Sequence, residues 1–272
     1  MGGTSEFVAA SFNVHAGVDG WGRPFDWLAA CRLLDADVLV LEEAWQPDEG
    51  PGVAETVGQA LGYAVYEQSL ARGRVALPDP QADHRWMRSL DWRSVNHSIY
   101  LDSERPLSSH VTGSARFQSA PKGSWNVAVL TRLPVVRTEV IDLGRLWRDR
   151  ARRAALVVWV EVAGREVAIV GTHMTHLTYE SPLHYASLAR ALDRVVGDAP
   201  ALVAADMNLW GPPVRVLLRG WRRAVKGQTW PAWRPHSQVD HIVVRNLSIL
   251  GGEVRPDAGS DHRPIVARVG LP

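Results

Sequence analysis

Cysteine is almost absent: Cys31 is the single one in 272 residues. One thiol excludes an internal disulfide and any zinc site built from several cysteines. Cys31 falls in the helical stretch Phe25–Leu34, where it fits as buried filler. An excess of charge is lacking too. Thirty Lys and Arg face 29 Asp and Glu, for a formal net charge of +1. There is then no global pull toward nucleic acid or anionic membrane, although a local patch stays open. No apolar run approaches the roughly 18 residues that span a bilayer. The opening residues, Met1 to Glu6, lack the basic-then-apolar pattern of a signal peptide. Glu6 stands where a myristoylation signal wants Ser or Thr. The expected location is the cytoplasm. Neither an internal repeat, nor a low-complexity tract, nor a linker breaks the chain. One domain is expected over residues 1–272, large enough to bury a sizeable core.

What is present begins with ordinary globular composition, 46% hydrophobic and 22% charged. Twelve tryptophans stand out. Trp21, Trp86, Trp92, Trp230 and Trp233 sit in polar or Pro-rich surroundings, where they line a groove or pin long loops. The stretch from Arg72 to Arg93 has no clear period. It mixes Arg72, Arg74, Arg85, Arg88 and Arg93 with Trp86 and Trp92. Such a mixture can track a phosphate backbone and stack bases; the plainer reading, and the one preferred, is a solvated insertion with Arg–Trp packing. Arg85, Trp86, Trp230 and Trp233 are the candidates for contact with a substrate.

Taken in order, Glu6–Asn13 reads as a strand ending in an amide, and Val14 to Pro24 as a loop. Phe25–Leu34 has helical spacing with Asp26 in its first turn. Asp37–Glu43 is a second buried strand ending in two acids, which makes the start βαβ-like. Ala54–Leu61 follows as a helix. Strands are expected at Asn96–Leu101, Val127–Leu130, Val135–Leu143, Ala154–Val162 and Glu166–Gly171. Gly164 forms the hairpin turn between the last two. Leu183–Val196 is an amphipathic helix. Ala201–Leu209 is an apolar strand that sets Asp206 and Asn208 two residues apart, hence on one face. A short helix near Val214–Leu218 and strands at Val239–Val244, Ile249–Val254 and Ile265–Val269 close the chain. Strands outnumber helices about two to one, which favours one α/β domain with two packed sheets and flanking helices.

Five apolar strands end in, or run into, a polar group: Asn13, Glu43, His173, the Asp206/Asn208 pair and Asp240. Asp261-His262 precedes the last strand. Each alone also reads as a turn former, a cap or a satisfied core histidine. Six together suit a shared site at the ends of rigid elements. Glu43 and Asp261 are hard oxygen donors fit for Mg²⁺ or Mn²⁺. His262 suits a general base, with Asp240 holding its tautomer. Asn208 and His173 suit donation to phosphate oxygens. No strong covalent nucleophile is present, so direct attack by water is the simpler chemistry.

The ordered strings Ser11-Phe-Asn13, Leu41-Glu-Glu43, Gly171-Thr-His173, Ala205-Asp-Met-Asn208, Val239-Asp240 and Gly259-Ser-Asp-His262 resemble the endonuclease/exonuclease/phosphatase superfamily. That group contains DNase I-like nucleases, abasic-site endonucleases, sphingomyelinases and inositol-polyphosphate 5-phosphatases. The resemblance covers nearly the whole chain in the family's order. It implies a four-layer α/β sandwich, with two mixed or antiparallel sheets between helices. It implies a divalent metal, usually Mg²⁺, on Glu43 with Asn13 and Asp261 close by. Asp206 would orient or deprotonate water, Asn208 contact phosphate, and His173 stabilise the phosphoryl group. His262 would pair with Asp240 and act as base or phosphate ligand. The chain departs from the family at Glu42 for Gln, Ala205 for Gly, Met207 for Phe and His241 for Tyr, none of which removes a charged catalytic group. The implied activity is hydrolysis of phosphoester bonds, as a phosphodiesterase or nuclease. Phospholipid and small-metabolite esters stay open as substrates. The rival from another class is a non-catalytic module that grips a phosphate ligand. His15 and His176 lie near these strings without matching any, and read as loop structure.

Overall fold

A computed structural model describes residues 5–75, 99–101, 118–176 and 181–272. Arg85, Trp86, Arg88, Trp92 and Arg93 lie outside the described residues. The elements run β1 (Glu6–Asn13), a 3₁₀ turn (His15–Gly17), α1 (Trp27–Arg32), β2 (Val38–Pro47), α2 (Val53–Leu61), β3 (Ala64–Val75) and β4 (Ile99–Leu101). Then follow β5 (Lys122–Thr131), β6 (Val135–Gly144), β7 (Arg153–Val162), β8 (Arg165–His173), α3 (Ser181–Val195), β9 (Ala201–Asp206) and α4 (Gly211–Leu217). The chain closes with β10 (Arg222–Arg223), β11 (Asp240–Arg245), β12 (Ser248–Val254) and β13 (Ile265–Gly270).

Two sheets form, of seven strands in the order β12-β13-β1-β2-β5-β3-β4 and of six in the order β10-β11-β9-β8-β7-β6. Each contains one parallel pair joined by a helical crossover: β1 with β2 through α1, and β8 with β9 through α3. The apolar alternation of the central strands explains the layering. In β2, Val38 and Val40 enter the core between the sheets, while Leu39 and Leu41 meet Ala30, Cys31, Leu34 and Val57 on the helical side. In β9, Leu202 and Ala204 face the sheet interface, while Ala201, Val203 and Ala205 meet Tyr185, Leu188 and Leu192 of α3. Both faces of these strands are dry, so every position is apolar until the strand ends. The result is the expected four-layer sandwich.

Local chemistry sets several boundaries. Asp26 caps α1 by accepting from Ala29 N at 2.9 Å. The β7–β8 hairpin turns at Ala163 and Gly164, both with positive φ, which suits a two-residue loop. The sheets approach closely at Gly171, where a Cβ would stand 2.8 Å from Val129 Cγ2.

Two expectations are corrected. β2 does not end at Glu43 but continues to Pro47, pairing with β5 on both sides of a bulge. The stretch Ala64–Val75, assigned no strand in the sequence, is a twelve-residue strand between β5 and β4. Half of the β3 residues are half-buried, so its polar and apolar residues do not alternate cleanly. Pairing with β5 holds it in place.

Candidate active site

Register across the six-stranded sheet builds half of the site. Asp206 lies opposite His173 on β8 and opposite Asp240 on β11. Directly opposed residues on neighbouring strands project to the same face. One row of the sheet therefore presents His173, Asp206 and Asp240 side by side, at the end of β8, the end of β9 and the start of β11. The apolar strands that set this register bury all three.

The seven-stranded sheet supplies the other half. Asn13 ends β1, and the segment Ser260–His262 leads into β13, which pairs with β1. Ser260 Oγ donates to the Asn13 carbonyl at 2.7 Å, which ties these two segments together. Glu43 arrives through the β2 bulge. Between Leu41 opposite Ala128 and Ala44 opposite Asn126, Glu42 and Glu43 face Val127 alone. A bulge re-aims a side chain, and Glu43 takes φ 54° there. His15, Ala16 and Asn208 also have positive φ. Backbone strain of this kind, at about 1–3 kcal/mol per residue, gathers where surrounding structure over-determines the chain.

The two halves meet on Asn13. Its Nδ2 donates to Asp206 Oδ2 at 3.0 Å and to Glu43 Oε1 at 3.2 Å. Its side-chain Oδ1 accepts from His15 N at 3.0 Å. Asp206 Oδ2 also stands 3.6 Å from His173 Nε2 and 3.7 Å from His262 Nε2. Asp206 Oδ1 accepts from Asn208 N at 2.8 Å. Burial first, then the charge of Asp240, pushes the Asp206 carboxyl up to about 7, against the opposing pull of His262.

His262 is bonded through Nδ1 to both Asp240 oxygens, at 3.0 and 2.9 Å. Burial alone would lower its pKa. The charges of Asp240, Asp261 and Asp206 outweigh burial and hold it well above the ordinary histidine value. His173 is the reverse case. Burial, then the charges of Arg153, His176 and His262, holds it well below that value, so the ring is neutral. Asn208 Nδ2 donates to His173 Nε2 at 3.0 Å and to the Met174 carbonyl at 3.0 Å. A neutral ring that accepts at Nε2 carries its proton on Nδ1, which lies 3.9 Å from Glu43 Oε1.

Asp261 Oδ1 lies 3.6 Å from His15 Nδ1, and the Asp261 side chain is also hydrogen-bonded by Trp230 and Ser260. Burial pushes this carboxyl up, but the charges of His15 and His262 and these bonds leave it lowered overall. Trp230 is thus a partner of Asp261. Trp233 stacks on Trp21 with ring centroids 4.4 Å apart. A Cβ on Gly20 would stand 2.3 Å from the Trp233 ring and 3.2 Å from Asp261 Cβ, so this aromatic pair adjoins the same edge of the site. His176 is exposed.

Oxygen donors dominate where the two sheets meet, and such a set fits a hard divalent cation. Glu43 and Asp261 are the residues that would hold it. Asn13 turns its amide hydrogens, not its oxygen, toward the carboxylates. Among the described residues, Asp206, Asp240 and His262 also form a compact group, with ligand atoms within 4.8 Å of one another. Asp240 is committed there to His262 Nδ1, so the group reads as a hydrogen-bonded dyad beside a carboxylate.

Three supports escaped the sequence. Glu42 is fully buried and accepts from Ser11 Oγ at 2.7 Å. Burial, with Asp240 and Asp206 nearby, raises its pKa well above the carboxylate value, against the Ser11 bond. These surroundings favour the uncharged acid, which would match the Gln usual at this place in carrying no charge. Arg153, also buried, donates from Nη1 to the His173 carbonyl at 3.1 Å and from Nε to Asp149 Oδ2 at 2.7 Å. Trp125 packs on the His173 ring at 4.7 Å between centroids. No spacing rule links these residues; β5, β7 and β8 bring them together. His241, at the position usually Tyr, is buried and bonds the Leu209 carbonyl through Nε2 at 2.9 Å. Burial lowers its pKa to about 4.

A family model described as "Endonuclease/Exonuclease/phosphatase family" matches residues 10–262. No curated protein matches the chain. Among solved structures, an endonuclease/exonuclease/phosphatase from Beutenbergia cavernae is similar at TM-score 0.62 and 19% identity, over 98% of this chain and 72% of that one. The human Nocturnin catalytic domain with bound sulfate anion is similar at TM-score 0.61 and 16% identity, over 99% and 96%. D. rerio TDP2 complexed with single strand DNA product is similar at TM-score 0.57 and 15% identity, over 98% and 100%. At these identities the structures speak for the fold.

Proposed function

This chain belongs to the endonuclease/exonuclease/phosphatase family, and from that premise we propose that it is a divalent-metal-dependent phosphodiesterase, of nuclease type, in which water is the nucleophile. We read residues 1–272 as one catalytic domain. The observation that carries the proposal is the Asn13 amide that binds Asp206 and Glu43 together, with His173 and His262 both within 3.7 Å of Asp206.

Each residue then has a role set by its surroundings. Asp206, a buried carboxyl raised by burial, takes a proton from the attacking water. His262 begins protonated, so it donates from Nε2 to a phosphoryl oxygen rather than serving as the first base. Asp240 holds that ring by Nδ1 and stabilises its charge. Asn208 fixes His173 by donating to Nε2, and the pair shapes the phosphoryl pocket. Asn13 fixes the two carboxylates. Glu43, with Asp261 close by, would hold Mg²⁺ or Mn²⁺, which would supply neutralisation of charge on the phosphoryl group. The neighbouring structure described with a single strand DNA product supports putting nucleic acid first among substrates.

The test is hydrolysis of bis-p-nitrophenyl phosphate, single- and double-stranded DNA and sphingomyelin with Mg²⁺, Mn²⁺ or EDTA. Asp206→Asn and His262→Ala are the controls. Metal-dependent turnover lost in both variants supports the proposal, and the best substrate names the subclass. Turnover that survives both substitutions overturns the site. Phosphate-ester binding without turnover of any substrate replaces the hydrolase with a binding module.

A further inference from the structure

The formal net charge of +1 hides a local concentration of cations. A cleft of about 440 Å³ by α4 and β10 is lined by Arg215, Arg219, Arg222, Arg223 and Lys226, with Gly220 and Trp221 also in its wall and no acid there. Among the described residues none of the five cations belongs to an ion pair. Arg215, Arg219, Arg222 and Lys226 are exposed. Arg223 reaches inward, and its Nε is buried with no hydrogen-bond partner among the described residues. Gathering five like charges opposes folding unless an anion offsets the repulsion. The structure keeps them together with specific contacts. Arg222 Nη2 donates to the Leu247 carbonyl at 2.6 Å. Arg223 donates to Gln238, which itself donates to the Asp240 carbonyl at 3.3 Å.

Arg223 links the cleft to the segments that carry the candidate active site, since it meets Gly211 after Asn208 and Gln238 before Asp240. Two residues after Asn208 comes Trp210, 49% exposed. Gly211 follows, and a Cβ there would stand 2.0 Å from Arg223 Nη1, so the guanidinium rests against that backbone. The exposed ring of Trp210 thus stands in the chain between Asn208 and the Gly211 backbone that Arg223 touches. Basic groups that follow a path beside an exposed indole suit a strand whose phosphates pair with cations and whose bases stack. An inserted membrane anchor would need a continuous apolar face. In α4 the exposed Val216 is next to Arg215 and close to Arg219, which denies it one.

We propose that the Arg215–Lys226 cleft binds the phosphate backbone of a single nucleic-acid strand, with a base stacked on Trp210, and feeds that strand to the candidate active site. The inference rests on the hydrolase reading for its direction, but not for its binding test.

The experiment uses the full chain and a fluorescein-labelled single-stranded oligonucleotide, with anisotropy measured in EDTA over a salt series. The triple variant Arg215→Gln, Arg219→Gln, Lys226→Gln changes exposed side chains only. Its affinity at low salt is expected to fall roughly 10- to 100-fold, and its salt slope by about two. Trp210→Ala is expected to weaken binding about 5- to 100-fold with the salt slope kept. Hydrolysis of bis-p-nitrophenyl phosphate is expected to be unchanged in both. Equal affinity and slope in wild type and triple variant would overturn the proposal. So would failure of the wild type to bind the oligonucleotide, or capture of phosphatidylserine vesicles in its place. If no phosphoester in the panel above is turned over by any protein but the binding difference persists, the hydrolase reading falls and the cleft stands. Should the triple variant misfold by circular dichroism, Lys226→Gln alone, expected to lower the slope by somewhat less than one, decides.

Discussion

The His262 imidazole is held through one nitrogen by both oxygens of Asp240, 3.0 and 2.9 Å from Nδ1, and so turns Nε2 to Asp206 at 3.7 Å. The carboxylate fixes both the orientation of the ring and its charge. It comes from β11, whereas His262 precedes β13 in the other sheet. The dyad therefore also measures how accurately the two sheets are placed.

Asp240→Asn keeps the shape and removes the charge. The His262 pKa is expected to fall, and kcat for bis-p-nitrophenyl phosphate to drop by about 10²- to 10⁴-fold, the range seen when an orienting acid is replaced by its amide. Proton NMR titration of His262 in the metal-free protein reads the first, and steady-state kinetics the second. An unchanged titration would show that Asp240 does not hold the ring charged.

Glu42→Gln is expected to preserve activity and to change stability by less than about 1 kcal/mol, because a neutral acid and an amide offer Ser11 the same acceptor. Glu42→Ala leaves a cavity and an unpaired Ser11 hydroxyl, and is expected to cost about 2–4 kcal/mol. Urea unfolding of both variants checks this. A Gln variant as damaged as the Ala variant would mean that Glu42 works as an anion.

The Asp149–Arg153 pair makes stability depend on acid. Burial would raise the Asp149 pKa, but the Arg153 charge and bonds from Arg153, Thr175 and the backbone leave it lowered. A carboxyl whose folded pKa is depressed stabilises the fold above its unfolded value of 3.8. That contribution is lost as pH falls through the lower folded value. Asp149→Asn is expected to cost about 3–5 kcal/mol at pH 7, since it leaves the buried Arg153 uncompensated. The wild type is expected to lose most of its advantage over the variant below the depressed pKa. Denaturant unfolding at pH 7 and at pH 2 to 3 gives both values. A difference that stays constant with pH would show that Asp149 is not ionised in the fold.

Gly171→Ala tests the contact between the sheets. The added methyl would stand 2.8 Å from Val129 Cγ2 and 3.0 Å from Val40 Cγ1. Overpacking of this kind costs about 1–3 kcal/mol. For a chain of this size the melting temperature is expected to fall about 2–12 °C. A variant as stable as wild type would mean that the valines shift without strain.

Much of the molecule was legible in its sequence, for a physical reason. Central strands buried on both faces must be apolar until they leave the core, so Ala201–Ala205 ends visibly at Asp206, and Ile169–Gly171 runs visibly into Thr172 and His173. Helices that cover those strands show a period near 3.6, as in α3. The polar residues at the ends could therefore be found, and their order pointed to the family. β3 was not legible, because a half-buried strand needs no strict alternation and takes its place from β5. The left-handed backbone at Glu43 was hidden as well, since a bulge is defined by the partner strand.

By itself the sequence determined which residues are apolar, where the apolar runs stop, and which polar groups stand at the stops. Local composition and period carry that information. The tertiary structure decided which way burial and neighbours push the pKa values of His262, Glu42 and His173, and the gathering of five cations beside α4. Those properties depend on burial and on neighbours many residues away, and burial exists only once the two sheets have packed.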